Sequence, residues 1–175
     1  LEIPSGVTHI GDFAFFGCGF RQADSMSGVT ETGGIDIIIM GDRLEYVGRC
    51  AFYGFKSVRE VRIGGTLAVG DMAFYECPTL EKITVGSALT KIGDMAFYQC
   101  SSLKSVTLPD SLSVIGDYAF YGYDKLESVD IPDSVTSIGN YAFRNCTSLA
   151  SVTIESGVTR IGDYAFYNCS NLASL

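Results

Sequence analysis

Five cysteines recur in register along the chain, at Cys18, Cys77, Cys100, Cys146 and Cys169, and an acidic series runs beside them through Asp12, Asp71, Asp94, Asp117 and Asp163. Thiols at fixed spacing suggest disulfide or zinc chemistry, and aligned carboxylates suggest a calcium site. Both series contain exceptions that favour a plainer reading. Phe55 and Tyr123 fill the cysteine position in two units. Neither is a usual zinc ligand or forms a disulfide, so the shared property is apolar volume, and the thiols are expected to be buried and reduced. Bridges between Cys77 and Cys100, or Cys146 and Cys169, stand as the alternative, because neighbouring repeats fall within the ~4.4–6.8 Å Cα range of a disulfide, although parallel side-chain vectors disfavour them. In the acidic series Asn140 and Arg49 are the exceptions. Asn caps a helical turn as well as Asp does but binds hard cations poorly, and Arg repels them, so capping is expected rather than metal binding. His9, the single histidine, is expected on the surface, and no phosphate-cradling G-x-x-x-x-G-K-[ST] occurs. With no nucleophile-base or metal constellation, the chain is expected to be no enzyme and to use no cofactor and no metal.

What positions these columns is a repeat. Ala-Phe recurs at Phe15, Phe52, Phe74, Phe97, Phe120, Phe143 and Phe166, with spacings of 37, 22, 23, 23, 23 and 23. Four residues before each alanine stands Ile or Val followed by Gly, from Ile10-Gly11 to Ile161-Gly162. A period near 23 lies within the ~20–29 range of leucine-rich repeats, in which each unit supplies a short strand and a compact return. In the unit from Leu103 to Lys125, the alternation of Leu103, Val106 and Leu108 predicts a strand over 104–108. Pro109-Asp110-Ser111 then turns the chain. Asp117 sits where it would cap a single helical turn from Tyr118 to about Gly122. The glycine after Ile or Val is assigned to a tight turn. The expected architecture is therefore a right-handed leucine-rich-repeat solenoid with a short parallel β-strand and a short helical turn in each repeat.

The 175 residues are 47% hydrophobic and 18% charged, which suits a packed domain rather than a disordered chain. Net charge is −8, which argues against nucleic acid and against an anionic membrane surface as partners. No apolar run approaches the ~20 residues that span a bilayer, so no membrane insertion is expected. The sequence begins at Leu1 and stops inside the repeat pattern, and is read as part of a longer chain.

The fullest unit runs through Leu126, Val129, Ile131-Pro132, Ser134-Val135-Thr136, Ile138-Gly139, Ala142-Phe143 and Cys146. This pattern resembles the BspA-type leucine-rich repeat, and the resemblance extends over nearly the whole chain. It implies a secreted or cell-surface protein engaged in adhesion or host-protein binding, with a protein partner such as extracellular matrix. It brings no catalytic residues. A structural spacer that displays another domain is the alternative.

Stacked repeats turn each position into a column. Asp36, Arg59, Glu81, Lys104 and Glu127 alternate in sign on the outward strand face, and are expected to attract one another across rungs. The aromatic column of Phe16, Tyr53, Tyr75, Tyr98, Tyr121, Arg144 and Tyr167 is assigned mainly to packing between turns. Asn145-Cys146-Thr147 and Asn168-Cys169-Ser170 fit the glycosylation pattern, which matters only in a eukaryotic secretory host. One repeat departs from the period: Cys18 to Ile35 spans 17 positions where Cys100 to Leu103 spans 3, an insertion of 14 residues near 19–34. Residues 1–175 are thus read as one domain of seven units carrying one insertion. Phe20 and Met26 within the insertion, with the outward Ile37 and Ile39 beside it, are the candidate ligand contacts.

Overall fold

The computed structural model of the chain describes residues 1–18 and 34–173. In chain order the strands are β1 (Glu2–Ile3), β2 (His9–Ile10), β3 (Ile37–Met40), β4 (Tyr46–Val47), β5 (Glu60–Ile63), β6 (Ala68–Val69), β7 (Lys82–Val85), β8 (Lys91–Ile92), β9 (Val114–Ile115), β10 (Ser128–Ile131), β11 (Ser137–Ile138), β12 (Ser151–Ile154) and β13 (Arg160–Ile161). They form a parallel β-solenoid. One face carries β1, β3, β5 and β7, and further along β10 and β12; the other is a seven-stranded sheet in the order β13-β11-β9-β8-β6-β4-β2. Register follows the repeat: Ile38 pairs with Val61 and Val61 with Ile83, while Val47, Val69, Ile92, Ile115, Ile138 and Ile161 align across the second sheet. Alternation within each strand sends Ile38 and Met40 inward and leaves Ile37 outside, the pattern a half-buried strand requires.

Between the sheets runs a ladder of phenylalanines. The rings of Phe52, Phe74, Phe97, Phe120 and Phe143 are fully or almost fully buried. They stack within 12° of parallel at 5.1, 5.3, 5.8 and 5.2 Å. Burying so large a side chain in every rung contributes about 1.5–3 kcal/mol each before the entropy of ordering the chain is set against it.

The strand predicted at 104–108 does not form; a single bridge, Lys82 to Ser105, marks its place. The interruption coincides with the widest gap in the phenylalanine ladder, the 5.8 Å between Phe97 and Phe120. At this junction the phenol of Tyr123, fully buried, occupies the slot that a cysteine fills elsewhere and reaches the Phe97 carbonyl at 2.8 Å. The second sheet is unbroken here, with Lys91 and Ile92 paired to Val114 and Ile115.

No described residue is helical, so the helical turn expected at each Ala-Phe corner is corrected. Tyr118 has φ of 56° and Gly122 φ of 81°, and Met72, Met95, Tyr141 and Tyr164 repeat the first of these values within a few degrees. This left-handed conformation turns alternate N–H groups along the stack. Tyr118, Phe120 and Gly122 donate to Asn140, Ala142 and Arg144 of the next rung at 2.9, 2.8 and 2.9 Å, whereas Ala119 and Tyr121 bond back within their own corner. The backbone satisfies its donors between rungs and has no need of a helix.

The aspartates accordingly cap no helix. Asp117 Oδ1 accepts the Asn140 N–H at 2.7 Å, and Asp94, Asp71, Asp12 and Asn140 do the same for the residue one rung on, at 2.9, 3.0, 2.8 and 2.8 Å. The glycine column is corrected as well: Gly116 has no positive φ, but a Cβ there would lie 2.6 Å from the Gly93 carbonyl carbon. Close stacking, not a tight turn, excludes a side chain.

Candidate binding surface

The cysteine column lies inside the stack. Cys77, Cys100, Cys146 and Cys169 are free and buried, and each thiol donates to the carbonyl of the phenylalanine one rung below, at 3.5, 3.2, 3.3 and 3.1 Å. Tyr123 makes the same bond with its hydroxyl. Volume alone therefore does not define this column; a short donor does in five of its units, a role that the shared O–H and S–H of Tyr and Cys could have disclosed. Phe55 meets the volume requirement only, packing edge-on against Phe52 at 5.7 Å. The neighbouring Cys169 thiol and burial push the Cys146 thiol up, and Cys100 and burial do so for Cys77, which keeps both protonated and unreactive. Cys18 departs from expectation and is exposed; it belongs to the first corner among the described residues, none of which lies beneath it as an earlier rung. Among the described residues no group of three or more His, Cys, Asp or Glu is placed to hold a metal.

On the outward face, Ile37 is 39% exposed and Ile39 half-buried, paired through the backbone with Glu60 and with Glu2 and Arg62 respectively. Phe20 and Met26 lie outside the described residues. Beside the two isoleucines sits a charge cluster. Arg62 donates to Glu60 from Nε and Nη2 at 3.0 and 3.3 Å, and Lys82 reaches the same carboxylate at 3.3 Å. Arg62, followed by Lys82, holds the Glu60 carboxyl below the usual carboxylate range. The alternating column predicted to pair does not: among the described residues none of Asp36, Arg59, Glu81, Lys104 and Glu127 forms an ion pair, and the one cross-strand pair on this face, Glu60 with Lys82, is in the adjacent column. Fully solvated charges gain too little from pairing to offset the side-chain entropy. His9 is exposed, 3.0 Å from the Thr8 hydroxyl.

The corner edge carries a second surface. Tyr53, Tyr75, Tyr98 and Tyr121 stack at 5.0, 4.8 and 4.8 Å, so the packing role assigned to this column is realised, yet each ring remains half-exposed. Beside it Tyr118, Tyr141 and Tyr164 stack at 4.7 and 5.3 Å. Arg144 interrupts the first column and lies over the rings of Tyr141 and Tyr167, 5.3 and 4.9 Å from their centroids. A lone Arg in an aromatic column was the available signal for this cluster.

A BspA type leucine rich repeat model matches residues 1–34, 31–122 and 67–175, in six copies. The chain belongs to this family. The leucine-rich repeat protein of Treponema pallidum is 34% identical, with 80% of this chain and 68% of that one covered and a TM-score of 0.77. A leucine rich cell surface protein of Faecalibacterium prausnitzii shares the fold at 24% identity, covering 86% and 46% of the two chains, with a TM-score of 0.63. The pneumococcal vaccine antigen PcpA shares it at 19% identity, covering 99% and 59%, with a TM-score of 0.58. The BspA-type chain thus spans about half the length of the latter two. No curated protein matches it. No helix among the described residues is long and apolar enough to cross a membrane.

Proposed function

We propose that this BspA-type chain is a noncatalytic protein-binding module of a secreted or cell-surface protein, used in adhesion or the capture of a host protein. Residues 1–175 form one domain of seven units, with the segment 19–34 as its insertion. Phe20 and Met26 act with Ile37 and Ile39 as the contact surface. The observation that carries this reading is Ile37, an aliphatic side chain 39% exposed, beside Ile39, on an outward face whose other residues are mostly charged or hydroxyl-bearing. An aliphatic centre rimmed by Glu60, Arg62 and Lys82 has the composition of a small protein interface. The family and the cell-surface description of the Faecalibacterium structure support the location.

Surface plasmon resonance against immobilised fibronectin, laminin and collagen tests the reading. Binding that is lost on shortening 19–34 or in Ile37→Ser, with melting unchanged, is the expected result. Binding by neither the wild type nor the variants would leave the spacer reading, which the small polar face around Ser105, Ser128 and Ser151 favours.

A further inference from the structure

Arg144 occupies a position at which five of the other six units carry tyrosine. Its Nε is buried with no hydrogen-bond partner, and among the described residues no carboxylate lies within salt-bridge distance of its guanidinium. The residue is nonetheless only half-buried, and its guanidinium carbon lies over the rings of Tyr141 and Tyr167. Asn145, next in the chain, is fixed by its bond to the Tyr121 hydroxyl at 2.9 Å and by accepting from Asn168 at 3.0 Å, which makes the surroundings rigid. A pre-ordered, partly desolvated cation without a counter-ion retains most of its capacity for a charge-assisted bond.

We infer that Arg144, clamped between Tyr141 and Tyr167, is the anchor of a docking site for a protein segment that presents one carboxylate among apolar side chains. Tyrosine and arginine are the residues that concentrate binding energy at protein interfaces. Charge selects a single carboxylate over a polyanion: the chain carries −8 overall, and Asp117 and Asp163 lie on the same corner edge. A sulfated glycan or nucleic acid would bring many charges against these, whereas one Asp or Glu side chain meets only the arginine. The site deepens the protein-binding reading and is independent of Ile37.

The test is selection of a phage-displayed random dodecapeptide library on the whole chain, followed by affinity measurement on Arg144→Tyr and Arg144→Lys. Arg144→Tyr restores the residue that stacks in neighbouring units, and melting reports whether the fold persists. The selected peptides are expected to share an Asp or Glu beside aromatic or aliphatic residues and to lose about tenfold or more in affinity for Arg144→Tyr. Replacing the peptide Glu by Gln should give the same loss on wild type and none on Arg144→Tyr. Peptides without an acidic residue, or equal binding to Arg144→Tyr, overturn the proposal. Heparin binding that depends on Arg144 overturns it in favour of a glycan. A matrix protein that needs Ile37, together with a selection that returns no acidic peptide dependent on Arg144, removes this site and leaves the first reading standing; acidic peptides that depend on Arg144 when no matrix protein binds have the opposite meaning.

Discussion

The phenol of Tyr123 donates to the carbonyl oxygen of Phe97 at 2.8 Å, in the position where Cys100 donates its thiol to Phe74 at 3.2 Å. Two side chains of different size thus do the same work in adjacent rungs. Tyr123→Phe keeps the ring and removes the donor. It should lower the free energy of unfolding by about 1 kcal/mol in urea titration. An unchanged midpoint would show that the Cys100 amide, 3.3 Å from the same oxygen, is sufficient for it.

Asp117 should tolerate replacement by Asn and not by Ala. Asn140 already performs the same task for Asp163, so Asp117→Asn should stay within a few tenths of a kcal/mol of wild type, while Asp117→Ala leaves an N–H at the rung interface without its acceptor and costs about 1 kcal/mol. Equal stability of the two variants would mean that water replaces the carboxylate.

Gly116→Ala and Gly11→Ala separate stacking from turn geometry. A Cβ at Gly116 lies 2.6 Å from backbone atoms of Gly93, while one at Gly11 meets nothing within 4 Å. The first change should therefore cost about 1–3 kcal/mol and the second almost nothing. Comparable losses at both positions, read from thermal melts, would restore the turn explanation.

Gln99 is exposed at φ of 54°, in a column where Gly54 and Gly122 take 73° and 81° and Asn145 and Asn168 take 63° and 60°. Gln99→Gly should raise stability by up to about 1 kcal/mol, since a left-handed backbone costs roughly 1–2 kcal/mol for a residue with a Cβ and the greater freedom of unfolded glycine removes part of the gain. A lower melting temperature would show that the Gln99 side chain makes a contribution larger than the strain.

Alkaline pH should unfold the stack. Burial, followed by neighbouring acidic groups, raises Tyr53, Tyr75 and Tyr98 above the usual 10.0, and burial does so most strongly for Tyr123. The unfolded chain then releases these protons at lower pH than the folded one. Stability is complete below pH 10 and falls as pH rises through the folded values. Tyrosinate absorbance and circular dichroism followed together should show late ionisation that coincides with loss of structure; ionisation at the ordinary pH with structure intact would contradict the burial.

How much of this was legible follows from which interactions are local. The Ala-Phe period marks the stack, and the in-strand alternation of Ser128, Val129, Asp130 and Ile131 fixes which side faces in, because both signals lie within one repeat. The corner was misread because Asp-x-Ala-Phe resembles a capped helical turn when taken alone. Its hydrogen bonds go to the next rung, about 23 residues away, where a local rule cannot see them. The same distance hides the thiol-to-carbonyl bonds of Cys77 and Cys100. Substitution within columns was the usable trace: Asn for Asp at 140, Tyr for Cys at 123 and Arg for Tyr at 144 each point to the property that the column requires or lacks.

The direction of the inter-rung bonds has a consequence for length. In the parallel sheets bonds run both ways between neighbouring rungs, while at the corners the N–H groups that leave the rung run one way, as those of Tyr118, Phe120 and Gly122 do to Asn140, Ala142 and Arg144. Each corner is therefore completed by the carbonyls of the rung that follows it. Adding a repeat supplies acceptors to the corner beneath it and presents a new set of donors above, so each unit is the template on which the next one closes.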